Sequence, residues 1–188
     1  MPTKISATSK HHPLYARRRS IVVPMGAQRF LAAFEGFEGG FAIGSSIVVA
    51  LALAGLDLHL LLVTAVVSIV VNGFNNASLK YSSEHYLDEL DGREKRSPFR
   101  EYFLPALIEF ISYFAISFVS IVPLLLINDI HVAVWMSVII TLVILFAAGY
   151  FRAFMLHAPR MRDAIETALL GAGIIVVGVV SGIILKIL

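Results

Sequence analysis

Long apolar runs separated by short polar breaks dominate this chain. Five stretches, residues 39–56, 60–79, 110–127, 132–151 and 167–185, contain no Asp, Glu, Lys or Arg. Each has 18 to 20 residues, close to the roughly 20 that carry an α-helix across a hydrocarbon core about 30 Å thick. Lipid offers no partner to backbone N–H and C=O groups, so each segment must satisfy its own and form a helix. The pattern predicts an all-α membrane protein with five transmembrane helices.

The polar breaks alternate in length. Residues 57–59 and 128–131 leave room only for tight turns, which makes helices one and two, and three and four, antiparallel hairpins. The longer break opens with Glu84-His85-Tyr86-Leu87-Asp88-Glu89-Leu90, whose apolar Tyr86, Leu87 and Leu90 keep helical spacing. The second helix is therefore expected to project past the membrane surface until Asp91-Gly92 stops it, and Ser97-Pro98 leads into the third. Residues 1–28 are polar, basic and interrupted by Pro2, Pro13 and Pro24, without the apolar core of a signal peptide. They read as a cytoplasmic tail before one transmembrane domain, 29–188, with a short cytoplasmic helical extension around 82–100.

Composition narrows the class. The chain is 58% hydrophobic and 15% charged, against about 45–50% and about 25% in soluble domains, which excludes an ordinary soluble fold. With no cysteine, disulfides, thiolate metal sites and cysteine nucleophiles are excluded. The net charge of +2 is a topology signal more than a nucleic-acid signal: of 15 Lys and Arg, only Lys186 falls on the side opposite the rest. The positive-inside rule then puts the N-terminus in the cytoplasm and the C-terminus outside. No His-Glu-x-x-His, Gly-x-Ser-x-Gly or nucleotide loop occurs, so an enzyme is not expected.

Ionisable groups within membrane segments are costly and point to function. Glu35, Glu38, Glu109 and Glu166 qualify, and the topology expects them in one layer near the cytoplasmic helix ends. Glu166 also suits a first helical turn, where the dipole favours an anion. On helix two, Ser68, Asn72, Asn75, Asn76, Lys80 and Ser83 recur at spacings of three and four and form a polar stripe. Lys80 should reach the depth of Glu35 and pair with a helix-one glutamate. Two readings of stripe and carboxylates stay open: a hydrated cation path, or interhelical contacts worth about 0.6 kcal/mol each.

Gly36, Gly40 and Gly44 on helix one, and Gly178 and Gly182 on helix five, allow close helix approach, within the chain or in a homodimer. Pro123 is expected to bend helix three. Glu84 with Asp88, and His85 with Glu89, are i,i+4 pairs that suit one or two hard metal ions or a solvated helix end. Asp57-Leu58-His59 and Asp129-Ile130-His131 read as N-caps, with an external metal exit site as the other possibility.

From about Arg29 to Leu188 these residues resemble the vacuolar iron transporter (VIT) family. The resemblance rests on Glu35-Gly36 followed by Phe41-Ala42, with Glu38-Gly39 as a second register, on Pro105-Ala106-Leu107 and Pro123-Leu124, and on Glu166-Thr167-Ala168-Leu169-Leu170-Gly171 onward to Gly182. Helix two keeps the family's tyrosine and serine in Asn75-Asn76-Ala77-Ser78-Leu79-Lys80-Tyr81-Ser82-Ser83, but has Asn76 or Ala77 for its methionine and Lys80 for its frequent glutamate. The family's cytoplasmic metal-binding helices are reduced to the segment from Glu84 to Arg100. The resemblance implies a dimeric, proton-coupled exporter of iron(II) or manganese, with Glu35 in place of the transporting aspartate. The transport path would comprise Glu35, Glu38, Asn72, Asn75, Asn76, Lys80 and Glu109, and the metal ligands Glu35, Glu38, Glu84, His85, Asp88 and Glu89. A divalent metal ion is then the substrate and no cofactor is permanently bound. The expected partners are the lipid bilayer and a second copy joined through helices one and two, in the cell membrane rather than an organelle membrane. The other expectation is a non-transporting relative whose path is closed by a Lys80–glutamate salt bridge.

Overall fold

The computed structural model describes residues 26–92 and 97–188; most of the basic tail and the basic residues of 93–96 lie outside them. Five helices are long and apolar enough to cross a membrane. They are α1 (Ala27–Leu53), α2 (Leu58–Leu90), α3 (Phe99–Leu126), α4 (Ile130–Leu156) and α5 (Arg160–Ile187). No strand occurs among the described residues. The expected five-helix, all-α membrane fold is the observed one.

Asp57 caps α2 by accepting from the Leu60 N–H at 3.1 Å, and Asp129 caps α4 by accepting from the His131 N–H at 2.9 Å. Both Asp-x-His motifs therefore serve as helix starts. Helix α2 continues without a break to Leu90, where Asp91 ends it and Gly92 takes the left-handed φ of +63° that a tight stop needs.

Helix α1 is the axis of the bundle and contacts all four others. Its glycines explain why. A Cβ on Gly40 would stand 2.5 Å from the Tyr113 carbonyl oxygen of α3, a distance no side chain tolerates. On the other flank, a Cβ on Gly182 of α5 would stand 2.5 Å from the Ala50 carbonyl oxygen of α1. Hydroxyl groups reinforce both contacts: Ser117 Oγ donates to the Gly40 carbonyl at 2.9 Å, and Ser46 Oγ to the Ile174 carbonyl at 2.9 Å. Both small-residue stripes are thus spent on packing within one chain.

Helix α3 begins with a π-helical turn, Phe99–Phe103, and changes to a 3-10 turn over Phe118–Ser120 before Pro123. The Leu124 N–H bonds to Ile121, not Ser120, and the Ser120 carbonyl instead accepts from Ser137 Oγ of α4 at 2.8 Å. The proline-associated break is satisfied by a neighbouring helix, as a low-dielectric interior requires. Val48, Leu61, Ala65, Ile69, Tyr113, Ile121, Leu124 and Ala133 form the main apolar core.

Candidate functional site

Near the basic end of the bundle, charged side chains form two clusters on opposite flanks of α1. The first is centred on Lys80, whose side chain is 11% exposed. Its ammonium pairs with Glu35 of α1, with Glu84 one turn further along α2 at 3.1 Å, and with Glu109 of α3 at 3.9 Å. Antiparallel packing in the first hairpin brings Lys80 level with Glu35, as the sequence pattern expects. Gln28, at the start of α1, donates to the Glu84 carboxylate and, at 2.9 Å, to the Glu101 carbonyl, tying α1, α2 and the start of α3 together.

This cluster is rich in carboxylate. When ionised, its three acids and one ammonium sum to −2. Glu35 is half exposed, but Glu109 is only 8% exposed and its Oε2 has no hydrogen-bond partner among the described residues. The Lys80 ammonium, 3.9 Å away, is its ionic partner and only partly offsets the cost of burying that oxygen.

The second cluster is centred on Arg152 of α4, which the sequence pattern registers only as a topology signal. Arg152 Nη1 donates to both oxygens of Glu38 at 2.8 and 2.9 Å, and Nη2 faces Asp163 at 3.4 Å and Thr167 Oγ1 at 3.3 Å, both on α5. Glu35 and Glu38 are three residues apart, about 60° around a helix, and that angle sends them to different clusters. Arg152, Asp163 and Thr167 are the site residues that sequence reasoning misses. The available signal was an arginine directly after an apolar run, opposite a helix-one glutamate of matching depth.

The remaining candidates are distributed elsewhere. Asn72 Nδ2 donates to the Ser68 carbonyl of its own helix at 2.9 Å, Asn75 is exposed, and Asn76 is half-buried. Asn72 and Asn76 flank the packed face of α2, which is formed by Leu61, Ala65, Ile69, Gly73 and Ala77, and Asn75 lies on the opposite side. Of Glu84, His85, Asp88 and Glu89, only Glu84 joins the Lys80 cluster. The His85 ring stacks on Tyr81 at 5.9 Å and meets Tyr102 edge-on at 5.1 Å, Asp88 accepts from the Tyr102 hydroxyl at 3.0 Å, and Glu89 is exposed. Glu166, the seventh residue of α5, is exposed and lies outside both clusters. Among the described residues no three His, Asp or Glu side chains converge as a metal site.

No curated protein matches the chain. The VIT family model matches residues 76–183, which is more than half of the chain and includes Lys80, Glu84, Glu109 and Arg152. With five membrane-spanning helices, a carboxylate-rich centre between the first three and that match, the chain belongs to the VIT family of membrane transporters.

Proposed function

We propose that this protein moves a divalent metal cation, manganese or iron(II), out of the cytoplasm in exchange for protons, with Glu35, Glu84 and Glu109 as ligands. One observation carries the reading: carboxylates from three different helices surround a single ammonium group and together exceed its charge. All three donors are hard oxygens, a set that suits manganese well and iron(II) acceptably. Lys80 must leave the centre as the cation enters, because two cations among the same carboxylates repel. The lysine is a tethered stand-in for the cargo. The second cluster, fully occupied by a guanidinium that cannot lose its charge, fastens α1 to α4 and α5.

The reading includes a homodimer in the cell membrane. Helix α2 has an outer face, with Asn75 and Phe74, that is exposed among the described residues. An asparagine facing hydrocarbon is unfavourable, and a second copy would cover it. Helix α1 offers such a partner only its basic end, where Leu31 and Glu35 are exposed.

The test is flux in proteoliposomes containing a divalent-metal indicator, with manganese and iron(II), with and without a pH gradient. Proton-dependent flux is expected, and Glu35→Gln is expected to abolish it. Wild-type flux from that variant would remove Glu35 from the mechanism. The contacts of Lys80 with both Glu35 and Glu84 also favour a second reading, a permanently closed path. A folded wild type that carries neither ion, together with a Lys80→Glu variant that gains metal binding, would establish that reading instead.

A further inference from the structure

Between α1, α4 and α5, at the end of the bundle away from Arg152, lies an apolar groove of about 380 Å³. The contacts of α5 explain why it opens. At the basic end α5 is pressed against α4, where a Cβ on Gly149 would stand 2.9 Å from the Asp163 carbonyl oxygen. At the other end it is pressed against α1, where Cβ atoms on Gly178 and Gly182 would each stand 2.5 Å from a carbonyl oxygen, of Ser46 and of Ala50. Helix α5 thus changes partner along its length, and the side facing α4 is left open. Buried Val49, Val134 and Ile175 form the floor of the opening, and exposed Trp135, Val176 and Ile183 form its walls.

The groove runs from His131 to Leu142 on α4 and from Ile183 to Ala172 on α5. At about 1.5 Å per residue each span is roughly 16 Å long, half of a hydrocarbon core about 30 Å thick and so one leaflet deep. The medium around five membrane-spanning helices is hydrocarbon, and a single extended acyl chain has the depth and the chemistry of this groove. Its mouth adds a charge. Lys186 stands one turn beyond Ile183 on α5, is exposed, and has no acidic partner among the described residues. It is the one Lys or Arg that the described residues place at this end of the bundle. A lysine stem lies along apolar surface while its ammonium reaches the headgroup level. The nearby Asp129 carboxylate is turned to the N–H groups of His131 and Val132, at 2.9 and 3.2 Å, where the helix terminus offsets its charge.

We propose that this groove is a phospholipid site: it takes one acyl chain of an anionic phospholipid from the leaflet at the Lys186 end, and Lys186 pairs with the phosphate of that lipid. The face proposed above for a second copy belongs to α2, which contributes no residue to the groove, so lipid reaches it in monomer and dimer alike. The inference does not depend on the transport reading.

Trp135 is the only tryptophan of the chain, so its fluorescence reports on this groove. The full chain is reconstituted in phosphatidylcholine vesicles with graded amounts of phosphatidylglycerol, and bromine atoms, which quench tryptophan on contact, are carried on the chains of one lipid or the other. Brominated phosphatidylglycerol is expected to quench the wild type at about one-fifth of the mole fraction that brominated phosphatidylcholine needs, the ratio that one lysine beside an anionic headgroup supplies. Exposed Lys186 can be replaced without disturbing the fold, and Lys186→Gln is expected to bring the two lipids level. Val179→Phe puts a ring into the middle of the groove and is expected to do the same with Lys186 in place, which separates a groove from a lysine that attracts headgroups at the surface. Equal quenching of the wild type by both lipids would overturn the proposal and leave Trp135 in unselective lipid. A preference that survives Lys186→Gln would overturn the pairing with phosphate, and one that survives in folded Val179→Phe would overturn the groove. Quenching by neither lipid would also overturn the proposal and put a second copy of the chain over Trp135.

Discussion

The two ionic clusters that flank α1 use the same chemistry to opposite ends. Around Arg152, one guanidinium meets two carboxylates and a hydroxyl: Glu38 is held through both of its oxygens at 2.8 and 2.9 Å, and Asp163 and Thr167 stand at 3.4 and 3.3 Å. Around Lys80, one flexible ammonium is shared among three carboxylates, at distances that spread to 3.9 Å, and a buried oxygen is left over. Arginine is planar and permanently charged, while lysine is a compact charge on a pliable stem. The first arrangement fixes a position and the second leaves one exchangeable. Charge within a membrane segment is therefore not by itself a sign of a transport site; the satisfaction of each oxygen separates a fastening from a binding centre.

Substitutions that treat the two clusters alike should expose this difference. The largest effect is expected from Arg152→Met, which strands Glu38 and Asp163 between helices and should cost about 3 kcal/mol, read as a lowered thermal midpoint of the detergent-solubilised protein. Lys80→Met should cost less than about 1 kcal/mol, because half-exposed Glu35 rehydrates, and should tighten manganese binding. Next, Glu38→Gln should destabilise by about 2 kcal/mol through its lost charge-assisted bonds, whereas Glu109→Gln should leave the midpoint within about 0.5 kcal/mol of wild type or raise it. Equal destabilisation by these two amides would erase the distinction between the clusters. The smallest effect is expected at the edge of the Arg152 cluster, where Thr167→Val loses one 3.3 Å contact and should cost about 0.5 kcal/mol in the same thermal assay.

The helices were legible because lipid imposes a length and a charge-free composition that few other constraints imitate. The Lys80–Glu35 pair was legible for a related reason: a short turn, residues 54–57, fixes the register of a hairpin, so depth can be counted from it. The Arg152–Glu38 pair lies between helices far apart in sequence, and spacing along one helix says nothing about which distant helix it touches. The asparagine stripe shows the same limit. Periodicity groups Asn72, Asn75 and Asn76 on one side of α2, but the small residues Ala65, Gly73 and Ala77 mark the side that is packed. The glycine stripes could have served an interface within the chain or between chains, and only the positions of Tyr113 and Ala50 show that they serve packing within it.

The way α1, α2 and α3 terminate has a consequence for where work must be done against the bilayer. Counting about 20 residues, one hydrocarbon thickness, from the charge-free ends of these helices arrives near Gly36, Leu79 and Leu107. Glu35, Lys80 and Glu109 thus form a shelf at the water's edge and not a station halfway through. Past that shelf the buried polar side chains of the bundle include Ser45, Ser117, Ser120, Ser137 and Thr141, all hydroxyls without formal charge. An ion gathered at the shelf, as the proposed function has it, would still face most of the dielectric barrier of the bilayer.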